Sequence, residues 1–409
     1  MAFPGKVHGR GEVFKIDTLG AALADISAFL DTFKLTPKMD RPQTATFGDA
    51  GERTGQVLGL RAFDISAQGY IELTAAQKAH GRGAKVLLSG YSLGSAFNKG
   101  KFTRKLKFDD TTTFGSAWRT FDVPGLQSGD VSLNGFYAGV AADTEQLLIS
   151  AGLQADPALA QAIPIGTFGM FGYAIGNMVE LFSMAVDNYG IDGGENKNLD
   201  LSLSGKSDGV LDLGYSLHDL VQESGAAPLS FTAAPTGGEP VSTALGGVAV
   251  LQATQFTGTT ATVIVQTSPD NATWTTLATF AAVTSATPQA QLVSIPVGTT
   301  IDKYCRAQIS AATYTSMTFQ VSVARRGFTA AMVTPGTHKH LAALFSNQTW
   351  IANQAPWLFE YDPQGTAVGN PKKTGSLRLE QYGLTFDENQ SLKFDLALKG
   401  SGTLTDGFN

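Results

Sequence analysis

Gly90-Tyr91-Ser92-Leu93-Gly94 has the G-x-S-x-G spacing of a nucleophile elbow, in which a sharp strand-to-helix turn exposes a serine hydroxyl. An acid and then a histidine further along the chain would complete a triad, and His218, His338 and His340 are the downstream histidines. The chemistry would be ester hydrolysis, with Ser92 as nucleophile. The flanking elements do not suit it. An apolar run from Ala84 makes a credible strand, but "GSAFNKGKFTRKLKF" after Ser92 contains Gly100 and alternates Lys and Arg with Phe and Leu, as a strand does. A hydrolase also needs alternating strands and helices, and helix is scarce in this chain. The esterase is the least favoured alternative.

Other residues with chemical potential are no stronger. His338 and His340 in "THKH" fall on one side of a strand, which makes two metal ligands without a third. The stretches "GRGEVFK" and "AHGRGAK" are glycine-rich and basic but lack P-loop spacing. Cys305 is the one cysteine and alternates with Ala307 and Ile309, as a small buried residue would. No catalytic residue, metal site or cofactor is therefore assigned.

Composition describes a β-rich globular chain of 409 residues, 43% hydrophobic and 16% charged, with a net charge of -6. No apolar run is long enough for a membrane span, and the first residues lack a signal-peptide core, so neither membrane insertion nor secretion is expected. The charge is unevenly spread. Residues 139–225 carry twelve acidic and two basic side chains, whereas residues 84–138 carry seven basic and four acidic ones. Such asymmetry suits surfaces that complement each other between copies, or simply two solvated faces. The basic side chains Lys99, Lys101, Arg104, Lys105 and Lys107 alternate with Phe102, Leu106 and Phe108. They predict a strand with one basic and one apolar face, which favours a protein contact over nucleic-acid binding.

Two internal repeats organise the chain. "TATFGDAGERTGQVLGLRAFDISAQGYIEL" (Thr44–Leu73) is answered by "TTTFGSAWRTFDVPGLQSGDVSLNGFYAG" (Thr111–Gly139), and "TLGAAL" (Thr18–Leu23) by "SLGSAF" (Ser92–Phe97). Later, "YGIDGGENKNLDLSLSGKSDGVL" (Tyr189–Leu211) is answered without a gap by "YGLTFDENQSLKFDLALKGSGTL" (Tyr382–Leu404). Both copies of the later repeat alternate apolar residues with period two, which predicts half-buried strands. Two early segments and two late ones pair most simply in nested order, an inner pair enclosed by an outer pair, although a swapped pairing is open. Residues 226–325 differ, with three acidic and three basic residues among Thr, Ala and Val. Their short strands and turns predict an immunoglobulin-like β-sandwich. One helix is expected at Asp143–Ala162, with Asp143 as cap and Gly152 as a break. Helical spacing over residues 20–33 is unmatched in the second copy and left undecided.

The expected fold is mainly β. It has one discontinuous domain of residues 1–83 with 326–409, a contiguous domain of residues 84–225 with a flanking helix, and a sandwich insert of residues 226–325.

The repeated segment resembles the major tail tube proteins of long-tailed bacteriophages. The resemblance is carried by Thr113-Phe114-Gly115, Pro124-Gly125-Leu126 and Gly135-Phe136-Tyr137 in the second copy. The first copy has Thr46-Phe47-Gly48-Asp49 and Gly59-Leu60 but lacks the proline. "VIVQTSPDNATWTTLATFAAVT" is similar to modules appended to phage tail proteins. The resemblance implies two tail-tube-type sandwich or barrel domains, in a virion protein assembled in the bacterial cytoplasm. Its copies would form stacked rings that conduct double-stranded DNA, alongside tape measure, tail terminator and tail-tip proteins. Two tube domains in one chain imply a trimeric, pseudo-hexameric ring, with a hexamer as the alternative. Contacts between subunits or rings are expected at Phe47, Asp49, Arg53, Phe114, Trp118 and Arg119 and at the basic strand residues Lys101, Arg104 and Lys105. The aromatic residues of that set either reach the next ring or fill their own core. Glu180, Asp187, Asp192 and Glu195 are expected to line a DNA-repelling lumen or to meet the basic strand. A receptor- or glycan-binding tail module built on the insert is the competing reading.

Overall fold

The structure is a computed structural model. It describes residues 12–17, 23–40, 60–74, 77–78, 83–93, 97–113, 116–122, 127–136, 163–195, 198–235, 242–284, 288–326 and 357–409. The protein is mainly β. The first strands are β1 (Val13–Asp17), β2 (Ala24–Asp25), β3 (Leu30–Met39), β4 (Arg61–Tyr70) and the short ribbon of β5 (Glu72–Thr74) with β6 (Gln77–Lys78). Next come β7 (Lys85–Leu88), β8 (Tyr91–Ser92), β9 (Phe97–Leu106), the ribbon of β10 (Asp109–Asp110) with β11 (Phe121–Asp122), and β12 (Gln127–Phe136). They are followed by β13 (Ile165–Gly169), β14 (Met178–Asp192) and β15 (Asp200–Glu223). The insert supplies β16 (Leu229–Ser230), β17 (Ala234–Pro235), β18 (Gly247–Ser268), β19 (Thr275–Thr279), β20 (Gln289–Ile295) and β21 (Tyr304–Arg325). The chain closes with β22 (Trp357–Asp362), β23 (Pro371–Asp387), β24 (Lys393–Gly400) and β25 (Thr405–Phe408). The helix expected at Asp143–Ala162 lies outside the described residues. The stretch left undecided, residues 20–33, holds a 3₁₀ turn at Ser27–Phe29 before β3 begins.

Alternation explains why these segments are strands. In β4, Phe63, Ile65 and Ala67 are buried while Ser66 and Gln68 are exposed. In β24, Phe394, Leu396 and Leu398 point inward. Each run therefore has one apolar face for a core and one polar face for water.

The two sets of strands repeat in register as well as in sequence. β3 pairs with β4, β4 with β24, β24 with β23, β23 with β22, and β22 with β1. In the same order β9 pairs with β12, β12 with β15, β15 with β14, β14 with β13, and β13 with β7. Tyr382 lies opposite Leu396 where Tyr189 lies opposite Leu203. A bulge between Leu379 and Gln381 recurs between Val186 and Asn188, and one between Leu30 and Thr32 recurs just after Phe97. Bulges bend and twist a strand, so the two sets curve alike.

The upstream repeat is corrected by the pairing. Ile16 faces Ala24 as Leu88 faces Tyr91, so Ala24-Asp25-Ile26 is the counterpart of Tyr91-Ser92-Leu93, and Thr18–Leu23 is not the counterpart of Ser92–Phe97. The amides of Ile26 and Leu93 confirm it by donating to Phe14 and Val86, which are equivalent positions. The sequence match was displaced because seven positions separate Ile16 from Ala24 whereas Ser89-Gly90 alone separates Leu88 from Tyr91.

The two sets join edge to edge. β9 pairs with β12 on one side and with Gln381–Asp387 of β23 on the other. One hydrophobic cluster runs beneath the junction. Phe102 lies 5.0 Å from Phe168 and 6.3 Å from Phe386, and Phe168 stacks on Phe386 at 4.4 Å. Gly100 is what lets Phe386 in, since a Cβ there would sit 2.4 Å from its ring.

Residues 226–325 hold short strands as expected, β16, β17, β19 and β20, but also two long ones. β18 and β21 are each 22 residues long and pair along their length, with four breaks in register. The breaks let each long strand bend to serve two regions: residues 247–253 of β18 pair with β20, and residues 264–267 with β19. A second hydrophobic cluster lies among these strands; it includes Cys305, Ala307 and Ile309 and takes in Leu217 of β15. β15 continues beyond the inner strands and pairs with β21 from Gly214 to Glu223.

Candidate assembly interface

The geometry of β9 follows from its period. Lys99, Lys101, Thr103 and Lys105 share one face, and Gly100, Phe102, Arg104 and Leu106 share the buried one. Lys101 Nζ lies 3.0 Å from Asp395 Oδ2, Lys99 Nζ 3.5 Å from Asp387 Oδ2, and Lys105 Nζ 2.5 Å from Asp130 Oδ2. The first two of these pairs tie β9 to the outer strands. On β3, Lys38 pairs with Asp64. The lysines of this polar face are thus largely neutralised within the chain. A groove of about 500 Å³ opens on it, lined by Lys34, Ser66, Gln68, Lys101, Gln381 and Asp395 among others.

Two expected surface residues are in fact buried together. Arg104 and Glu180 are both 0% exposed and form an ion pair with Nη1 3.3 Å from Oε1, while Arg104 Nε donates to the Leu211 carbonyl at 3.2 Å. Arg104 is therefore not part of the basic face, and Glu180 is not exposed to a lumen. Simple alternation placed Arg104 on the apolar side, and an acid three strands away compensates it. Burial, reinforced by the Glu180 carboxylate, holds the nearby Tyr382 hydroxyl well above its usual pKa.

Trp118 and Arg119 make contacts within the same chain, on the outer strands. Trp118 packs edge-on against Phe63 at 6.3 Å with the Arg61 guanidinium 5.9 Å over its ring. Arg119 bonds Asp40 at 2.6 Å and Asp110 at 3.1 Å, and its amide donates to the Arg61 carbonyl. Asp187 accepts from Ser204 Oγ at 2.7 Å, and Asp192 and Glu195 are exposed near the β14–β15 turn. Phe47, Asp49, Arg53 and Phe114 lie outside the described residues.

The G-x-S-x-G stretch is a strand–turn–strand. Ser89 and Gly90 have φ of 51° and 86°, which is the pattern of a two-residue hairpin turn. Ser92 lies on β8 opposite Leu87, and β9 follows where an elbow needs a helix. Gly90 is required by a neighbour as well as by φ, because a Cβ would meet the Gln289 amide at 2.3 Å. Its own amide donates to Gln252 Oε1 at 2.7 Å. His218 stacks on Phe319 at 4.1 Å in the insert, and burial pushes its imidazole below the usual range. His338 and His340 lie outside the described residues. Among the described residues no three His, Cys, Asp or Glu side chains converge as metal ligands, and no helix is long and apolar enough to cross a membrane.

The sequence reading missed the β9–β23 junction. Its only trace is Gly100 amid large residues, opposite a phenylalanine in the later repeat.

No protein-family model matches the chain, and no curated protein matches its sequence. Among solved structures, the chain is similar to a component of the virion of a native gene transfer agent particle. That match has 13% identity and a TM-score of 0.24, and covers 31% of this chain and 94% of the other. It is also similar to the SPP1 Dit protein, titled a paradigm of hub adsorption apparatus in Gram-positive infecting phages. There the identity is 12% and the TM-score 0.24, over 59% of this chain and 98% of the other. A third similarity is to the tail of an empty gene transfer agent particle, at 10% identity and a TM-score of 0.17, over 51% and 97%. Scores this low do not establish a common fold, and the functional reading rests on the chain's own residues.

Proposed function

We propose that the protein is a structural subunit of a phage tail that self-assembles into stacked rings, the tube through which DNA leaves the virion. The observation that carries this is the duplicated strand set joined edge to edge through β9 and β23, because a chain that repeats one unit side by side already contains one junction of a ring. Residues 1–83 with 326–409 form one tube unit and residues 84–225 the other, so three chains supply six units. Residues 226–325 decorate the outside. The face bearing Lys99, Lys101 and Lys105 lines the conduit. Its lysines are held by Asp387, Asp395 and Asp130, which leaves few free cations to grip passing phosphates. The tail-tube resemblance of the repeated segment supports the same reading. Light-scattering mass together with negative-stain microscopy of the concentrated protein tests it. Rings or tubes built from multiples of three chains are expected, and a monomer at every concentration overturns it.

A further inference from the structure

Each strand set has an edge that meets the other set only once within the chain. β23 of the outer set receives β9 of the inner set. By the repeat, β14 corresponds to β23 and β3 to β9. Among the described residues β3 pairs only with β4, and residues 188–192 of β14 pair only with β15. We infer that the outer edge of β3 pairs antiparallel with residues 188–192 of β14 in a second copy of this chain, in the register of the internal junction.

Carrying over the register of β9 on β23 sets Lys34 opposite Asp192, Leu35 opposite Ile191 and Phe33 opposite Gly193. Three observations favour this match. The first is burial. Leu384, at the internal junction, and Leu392, just before β24 in the same core cluster, are 0% exposed, whereas their counterparts Ile191 and Leu199 are 44% and 46% exposed, as apolar residues awaiting a cover would be. The second is shape. Inside the chain, Phe386 of β23 fits over Gly100 of β9. Between copies the aromatic is Phe33 of β3, packed on Phe14 and Tyr361, and the glycine is Gly193, beside which the exposed Leu199 side chain lies, so the large-to-small match is made with the sides exchanged once Leu199 turns aside. The third is charge. Lys101 of β9 is matched by Asp395 beside Thr385. At the corresponding place Lys34 meets Asp192, and neither has an ionic partner among the described residues. Pro37 removes one backbone donor from β3, which discourages indiscriminate pairing of that edge.

This inference deepens the ring reading and rests on it, yet the two can fail separately. The variant Lys34→Cys with Asp192→Cys places two exposed thiols directly opposite each other across the proposed junction, within disulfide reach. Mild oxidation should give covalent dimers and higher oligomers. Lys34→Cys with Asn188→Cys, out of register, should not. Lys34→Glu and Asp192→Lys should each raise the concentration for half-assembly about fivefold, and the double reversal should restore it. Rings without the in-register cross-link overturn the edge pairing and leave the ring reading standing. Cross-links without rings support the pairing and overturn the ring reading. Indifference of assembly to both charge reversals also counts against the pairing.

Discussion

Arg104 and Glu180 show how one buried pair can hold a whole set of strands to its sequence. Both are fully enclosed, and removing one would strand the other's charge away from water. Glu180→Ala should therefore destabilise the protein by about 3–5 kcal/mol, read as a lower midpoint in urea unfolding. Arg104→Met combined with Glu180→Leu should recover most of that loss, since a packed apolar pair has no desolvation cost. A Glu180→Ala variant as stable as the parent would show that the pair is not buried in solution. This pair was not legible in the sequence. The alternation of Lys and Arg with Phe and Leu showed that β9 is a strand, but grouping Arg104 with the basic face overlooks strict period two, which sets it beside Phe102 and Leu106. Only the position of β14 across the core explains its burial there. Its counterpart in the other set is Pro37, opposite Phe63, so no repeat of the motif could have flagged it.

At the scale of elements, the β7–β8 hairpin turns a hydrolase-like motif into a packing device. Gly90 combines positive φ with a backbone of the insert pressed against it. Gly90→Ala should lower stability by about 2 kcal/mol or more, from left-handed strain plus the displaced Gln289 backbone. Ser92→Ala should change the melting temperature by less than about 1 °C, because Ser92 is exposed on a two-residue strand. Calorimetry on the two variants separates the readings, and equal losses would contradict them. The strands themselves were readable. The period-two runs through Leu201 and Leu203 and their copies Phe394 and Leu396 are paired strands in both places. Counterpart registers upstream were not, because a two-residue turn in one copy and a longer connection in the other shift the letters without shifting the fold. The long strands of the insert were also misread as short ones, since each bulge interrupts alternation just as a turn does.

At the scale of the molecule, the pairing of lysines with aspartates on the polar face decides what the proposed conduit does to DNA. Asp387→Asn with Asp395→Asn would leave Lys99 and Lys101 uncompensated. Assembled tubes of that variant should retain double-stranded DNA at low salt, with a steeper dependence on salt than the parent, by about 0.9 in log–log slope per freed phosphate contact. Retention equal to the parent's would remove the polar face from the lining. The mainly β class, the duplication and the local charge imbalance are all visible in the sequence. What pairs with what across the middle of the chain depends on contacts between segments hundreds of positions apart, and composition carries no record of those. The 24-residue β15 adds a mechanical consequence. It is one long strand with several bulges, paired with β12 over residues 200–206, with β14 over residues 200–215 and with β21 over residues 214–223. A tug on the insert along that strand would load many hydrogen bonds at once in shear, rather than peel them singly. If residues 226–325 decorate the outside of a tube as proposed, they would be a handle fastened to its wall, able to bear drag without tearing free.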